Sequence, residues 1–130
     1  MNTILIVCDK IQEINRLRRN FEGSPYTIKA TGAMQSASYV AATSEPSLIV
    51  YQLGDDYSQF FAFYKQLRES EQTANIPLLL AADISVMKPF SDHISLRNAH
   101  IVSTGITKDS MLGIVDKMIK QQVYGYNVAQ

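Results

Sequence analysis

The chain has 130 residues, of which 46% are hydrophobic and 18% charged, a balance typical of one globular domain with its own core. Twelve basic residues match twelve acidic ones, so the net charge of zero gives no reason to expect non-specific binding to nucleic acid. The single cysteine, Cys8, excludes an internal disulfide and a cysteine-rich metal site, and no apolar run approaches the roughly 18 residues of a membrane span. We therefore expect a soluble, cytoplasmic domain.

Short apolar runs predict five strands. They lie at residues 4–7, 26–31, 46–53, 78–82 and 101–104. The run at 46–53 is led by a proline, closed by a Gly-Asp-Asp turn and almost continuously apolar. Such a run is typical of a central strand in a parallel sheet, because helices cover both faces of that sheet.

Helical periodicity separates the strands. Asp9, with Gln12 three residues later, predicts an N-terminal cap for a first helix. The apolar face of that helix would carry Ile11, Ile14, Leu17 and Phe21. A second helix of small residues is expected at about 33–43, after Gly32.

The strongest helical signal follows the central strand. Its apolar stripe consists of Tyr57, Phe60, Phe61, Tyr64 and Leu67, which we expect to be mainly core. Phe63 lies off that stripe and is expected to be an exposed contact residue. One or two helical turns are expected near 92–98, and Thr107 is predicted to cap a final helix.

Strands alternating with helical patterns at this spacing predict right-handed βαβ crossovers. The simplest arrangement is a flavodoxin-like, doubly wound (βα)5 fold of the α/β class, with a five-stranded parallel sheet in the order 2-1-3-4-5. We expect one domain over residues 1–122, and residues 123–130 as a C-terminal tail or the start of a linker. Functional residues in such sheets usually lie just beyond the carboxyl ends of the strands. Gln52, near the end of the predicted central strand, is therefore a candidate site residue.

The order of these elements resembles the receiver domain of two-component response regulators over essentially the whole chain. Residues 4–10 look like the family's opening, in which an apolar strand ends in two acidic residues. Residues 46–53 are similar to its third strand, and the run NIPLLL at 75–80 is similar to its fourth. Residues 107–112 are similar to the start of its last helix.

The resemblance also implies where the family's chemistry would lie. In the family an acidic pair binds a divalent metal, an aspartate takes the phosphoryl group, and a hydroxyl, a lysine and an aromatic switch residue complete the site. The corresponding positions here are Cys8 and Asp9 for the acidic pair, Gln52 for the acceptor, Ala82 for the hydroxyl, Thr104 (or Gly105 in the adjacent register) for the lysine, and Ile101 or Val102 for the aromatic.

These substitutions remove the expected chemistry. A glutamine amide is neutral and cannot form an acyl phosphate. Mg²⁺ prefers carboxylates, and Asp9 beside a thiol is a poor site for a hard cation. We therefore expect no catalytic activity, no metal and no cofactor. The expected function is that of a phosphorylation-independent receiver, or pseudo-receiver, which serves two-component-type signal transduction as a protein–protein interaction module.

The resemblance implies the partners as well. They would be a signalling kinase, an output domain, another regulator, or a second copy of the chain bound through the last helices. The surface expected to bind them consists of the family's fourth helix, fifth strand and fifth helix. Direct contact with nucleic acid or a membrane is not expected.

Two alternatives stay open. Asp55 or Asp56 could act as a substitute phospho-acceptor, although turn and helix-capping chemistry also explains both residues. The domain could instead bind a small ligand, although the turn at 8–10 has no glycines to cradle a phosphate.

Several other residues have plainer explanations than a functional one. Cys8 at a strand end is expected to be an inert, buried thiol. The segment Lys88-Pro89-Phe90 imitates a family signature but lies too early in the chain for it. His93 and His100 have no partners at ligand spacing and are expected at the surface.

Overall fold

The computed structural model describes residues 2–85 and 96–123. Its strands form one parallel sheet in the order β2-β1-β3-β4-β5, which confirms the predicted fold class. The strands are β1 (Thr3–Val7), β2 (Thr27–Thr31), β3 (Leu48–Gln52), β4 (Leu78–Ala82) and β5 (Ala99–Ser103). The helices are α1 (Ile11–Arg19), α2 (Ala37–Ser44), α3 (Tyr57–Glu69) and the C-terminal helix (Lys108–Val123), and a single 3₁₀ turn (Met34–Ser36) precedes α2.

The core has two layers, one on each face of the sheet, because consecutive residues of a strand point to opposite sides. Helices α2 and α3 cover the face with Leu5, Val7, Ile49, Tyr51, Leu78 and Leu80. Helix α1 and the C-terminal helix cover the face with Ile4, Ile6, Leu48, Val50, Leu79 and Ala81. Burial on both faces explains why these central strands show no polar alternation.

The buried face of α3 differs from the predicted stripe. Phe63, expected to be exposed, is only 4% exposed, whereas Tyr57 and Phe61 are 37% and 38% exposed. Phe60, Phe63 and Leu67 also lie at helical spacing, so periodicity alone does not separate the two faces. Packing decides between them, because the rings of Phe60 and Phe63 lie 5.0 and 5.2 Å from the ring of Tyr51, centroid to centroid.

The start of α1 also differs from the prediction. Lys10, not Asp9, is the N-cap, and its side chain makes no capping hydrogen bond. The helix begins one residue later than a cap at Asp9 requires, and the Lys10 N–H donates to the sulfur of Cys8 at 3.4 Å. Ile11, predicted on the buried face, is 68% exposed and is the first residue of the helix.

Other local predictions agree with the structure. The Ser110 N–H donates to Thr107 Oγ1 at 3.2 Å, which confirms Thr107 as the cap of the C-terminal helix. Strand β2 lies at a sheet edge, as expected, and His100 is exposed. Among the described residues no helix is both long and apolar enough to span a membrane. The segment Lys88-Pro89-Phe90, His93, most of the turns expected near 92–98 and the tail from residue 124 lie outside the described residues.

Candidate functional site

The carboxyl ends of β1, β3, β4 and β5 meet at one edge of the sheet, because all the strands are parallel. Gln52 pairs with Ala81, and Ala82 pairs with Ser103. The ladder continues one residue further, since the Thr104 N–H donates to the Ala82 carbonyl at 2.8 Å. This register brings the ends of β3 and β5 to a similar level of the sheet, with the end of β4 between them.

Both ends of the Gln52 side-chain amide are hydrogen-bonded at this edge of the sheet. Its Nε2 donates to Thr104 Oγ1 at 3.1 Å, and its Oε1 accepts from Arg16 Nη2 at 3.2 Å. The residue after β5 that reaches Gln52 is therefore Thr104, the first of the two positions that the sequence left open. The side chain of Gln52 is half-buried and engaged on two sides.

Arg16 reaches this edge from α1, although it lies outside the apolar face predicted for that helix. Its Nη1 donates to the Thr104 carbonyl at 2.9 Å. Its Nε and Nη2 donate to one oxygen of Glu13, at 3.0 and 2.7 Å. We call Arg16, Glu13, Gln52 and Thr104 the Arg16 network. The sequence signal for it is a Glu–Arg pair at i,i+3 on α1, spacing that is common on exposed helices and carries little information.

The two residues at the end of β1 differ in their surroundings. Cys8 is buried, and its sulfur accepts from the Lys10 N–H and donates to the Lys10 carbonyl at 3.6 Å. Burial raises the pKa of the Cys8 thiol, so it stays protonated at neutral pH. Asp9 is exposed. Within residues 2–85 and 96–123, no group of three or more His, Cys, Asp or Glu side chains is arranged to hold a metal ion.

Asp55 and Asp56 lie in the turn between β3 and α3. Asp56 is the N-cap of α3, because its Oδ1 accepts from the Gln59 N–H at 3.2 Å. The Ser58 hydroxyl donates to the same oxygen, and this bond, followed by the one from Gln59, lowers the pKa of Asp56. Asp55 is exposed. The capping role expected for this turn is thus filled by Asp56.

The remaining positions carry apolar groups. Ala82 is fully buried in the layer covered by α3. Ile101 is half-buried against that layer, whereas Val102 is buried in the opposite one. No hydroxyl or aromatic group is present at these three positions.

Solved structures share this architecture. The receiver domain of a Francisella response regulator superposes with a TM-score of 0.77 at 15% identity, over 94% of this chain and 99% of that one. A Vibrio cholerae chemotaxis protein gives 0.76 at 14% identity, over 91% and 98%. The receiver domain of a Pseudomonas aeruginosa sensor histidine kinase, which has a magnesium ion coordinated in its active site cleft, gives 0.76 at 12% identity, over 92% and 98%.

No protein-family model matches the sequence, and no curated protein matches it either. At identities this low the superpositions establish the fold and nothing finer. The chain has the fold of a response regulator receiver domain, with an amide, an arginine and a threonine hydroxyl at the edge where strands β3 and β5 end.

Proposed function

We propose that this domain is a phosphorylation-independent receiver that serves two-component-type signalling as a protein–protein interaction module. One observation carries the proposal. Gln52 stands at the position that the resemblance assigns to the phospho-acceptor, and both ends of its amide are hydrogen-bonded, to Arg16 and to Thr104. A neutral amide held in this way has no oxyanion with which to attack phosphorus.

The neighbouring positions support the same conclusion. Phosphoryl transfer depends on positioning and on cations that neutralise the developing charge. Cys8 offers a protonated thiol where the resemblance expects a carboxylate, and Ala82 offers a methyl group where it expects a hydroxyl. We therefore propose that the domain catalyses no reaction and holds no metal at this edge.

The proposed binding surface includes β5 and the C-terminal helix. Strand β5 is an edge strand, and edge strands present unpaired backbone groups. The described part of the C-terminal helix, residues 108–121, carries half-buried Leu112, Ile114 and Met118 together with exposed Lys117 and Lys120. A kinase, an output domain, another regulator or a second copy of the chain would contact this mixed surface.

The test is exposure of the wild-type domain to Mg²⁺, beryllofluoride and a small phosphodonor, followed by amide proton–nitrogen correlation spectra and intact mass. We expect unchanged spectra and no gain of a phosphoryl group, while a receiver with an intact acceptor, treated alongside, gains one. A mass gain lost in Asp55→Asn would instead identify Asp55 as a substitute acceptor. Asp56→Asn tests the other acid, with a thermal melt to control for the loss of the α3 cap.

Gln52→Asp separates the contribution of the acceptor from that of its surroundings. The variant restores a carboxylate but leaves Cys8, Ala82 and Thr104 unchanged. We expect no mass gain in it, because the groups that bind metal and neutralise phosphate are still missing. A phosphorylated Gln52→Asp domain would show that Gln52 alone blocks the reaction and would contradict the wider loss of chemistry proposed here.

A further inference from the structure

We propose that Arg16 is a positioning residue that holds the end of β3 and the loop after β5 in one arrangement. A cation from α1 would thereby connect Gln52 with Thr104, the position at which the resemblance expects a lysine. This inference rests on the proposed function, because it assigns to a side chain the control that phosphate exerts in a phosphorylated domain. It concerns the regulation of the same site.

The geometry requires an arginine. The guanidinium makes four hydrogen bonds to three acceptors: two to Glu13 Oε1, one to Gln52 Oε1 and one to the Thr104 carbonyl. A planar fork with five N–H groups can satisfy acceptors on α1, β3 and the loop after β5 in one rotamer. A lysine ammonium is a single point and cannot span the same three acceptors.

Glu13 makes this arrangement self-sufficient. The side chains of Arg16 and Glu13 are 30% and 33% exposed, so both are largely shielded from water. The Glu13 carboxylate neutralises the guanidinium, and no external anion is needed to hold the cation at the sheet edge. The other N–H groups of Arg16 donate to two neutral acceptors outside α1, the Gln52 amide oxygen and the Thr104 carbonyl.

The contact with Thr104 transmits this constraint to the C-terminal helix. Thr104 begins the loop that leads from β5 to Thr107, the cap of that helix. The loop is tightened by the Ile106 N–H, which donates to the Ser103 carbonyl at 3.0 Å, and by the Gly105 N–H, which donates to Ser103 Oγ at 3.2 Å. Fixing the Thr104 carbonyl therefore constrains the start of the loop that leads to the C-terminal helix.

The experiment compares amide hydrogen exchange in Arg16→Gln, Arg16→Lys and the control Arg19→Gln. Arg19 is exposed on the same helix, so its variant removes the same charge without touching the network. In Arg16→Gln we expect exchange at residues 104–106 to accelerate about tenfold relative to Val50 and Leu79 in the central strands. Arg16→Lys should show a smaller acceleration, and Arg19→Gln should show none.

Two outcomes would overturn the proposal. Equal acceleration at 104–106 and in the central strands would mean that Arg16 contributes only to global stability. Unchanged exchange at 104–106 would mean that the contact constrains nothing. If Arg16→Gln does not fold, Glu13→Ala and Thr104→Ala decide. Glu13→Ala removes the oxygen that accepts two hydrogen bonds from the guanidinium, whereas Thr104→Ala keeps the carbonyl contact. We expect exchange at 104–106 to accelerate more in Glu13→Ala. The reverse order, or no acceleration in either variant, would count against the proposal.

The positioning role and the proposed function fail in different ways. A phosphoryl mass gain in the wild-type domain defeats the proposed function, whatever the exchange data show. Unchanged exchange in Arg16→Gln, together with no mass gain in the wild type, defeats the positioning role alone.

Discussion

At the scale of single residues, Arg68 is the buried charged side chain of the described structure. It is 9% exposed at the end of α3, and its guanidinium binds backbone carbonyls on two loops. The acceptors are Ala74 and Ile76 for Nη1, at 3.1 and 2.7 Å, and Arg97 and Asn98 for Nη2, at 3.0 and 3.1 Å. Burial lowers the pKa of Arg68, and its guanidinium carbon lies 5.3 Å from the centre of the Tyr64 ring.

We expect Arg68→Met to lower the free energy of unfolding by about 3 kcal/mol, because it removes the donor from the buried Ile76 carbonyl and from the half-buried Ala74 carbonyl. Relief of the buried charge offsets part of the loss and does not cancel it, since four charge-assisted hydrogen bonds disappear. Urea denaturation measures the change. Arg18→Met, at an exposed position of α1, is the control and should change stability by less than about 0.5 kcal/mol. Equal midpoints for the two variants would contradict the role given to Arg68.

At the scale of elements, the orientation of α3 can be tested with a pair of phenylalanines. Phe63→Ala should cost about 3 to 5 kcal/mol, because it opens a cavity beside Tyr51 in the core. Phe61→Ala should cost about 1 kcal/mol, because its ring is 38% exposed and contacts Phe60 at the edge of the core. Thermal or urea unfolding of both variants gives the comparison. The reverse ranking would restore the stripe suggested by the sequence.

A second element-scale contact joins the start of β2 to the C-terminal helix. The Tyr26 hydroxyl donates to Asp116 Oδ1, and burial together with this bond raises the pKa of Tyr26 to about 12. The unfolded phenol ionises near pH 10. The folded state therefore keeps a proton that the unfolded state loses, so the stability from this contact is full below about pH 10 and disappears as pH rises towards about 12.

Tyr26→Phe tests this dependence. The wild type should be more stable than the variant at pH 8, and the difference should shrink between about pH 10 and 12. Urea midpoints measured across that range report it, and the raised pKa of Tyr51, common to both proteins, cancels in the difference. A constant difference would show that folding does not raise the pKa of Tyr26.

At the scale of the whole molecule, the strands and their order could be predicted because burial on both faces leaves a sequence signal. The runs around Val50 and Leu79 are apolar without interruption, and alternating helices then restrict the topology. The exposure of Phe61 could not be predicted, since two helical faces of α3 fit the same period. The contacts that Gln52 and Thr104 make could not be predicted from the resemblance.

The Arg16 network is the clearest case of what the sequence does not reveal. Its hydrogen bonds join residues that are 36 and 88 positions apart, and they exist only because the parallel strands end at one edge. The role of Arg68 cannot be predicted for the same reason, since its partners lie on two loops that meet only in the folded chain. Long polar side chains that bind distant backbone carbonyls leave no periodic pattern.

Under the proposed function, a domain with Gln52 at the end of β3 would also have no phosphorylated state whose lifetime limits the signal. An acyl phosphate is lost by hydrolysis. A phosphorylated domain therefore stays active after the stimulus ends, for a time set by its own hydrolysis rate. The hydrogen bonds that join the Gln52 amide to Arg16 and Thr104 form and break at equilibrium, so they have no comparable lifetime. Under the proposed function, the response would follow the present concentration of the partner, and any record of an earlier stimulus would have to be kept by another molecule.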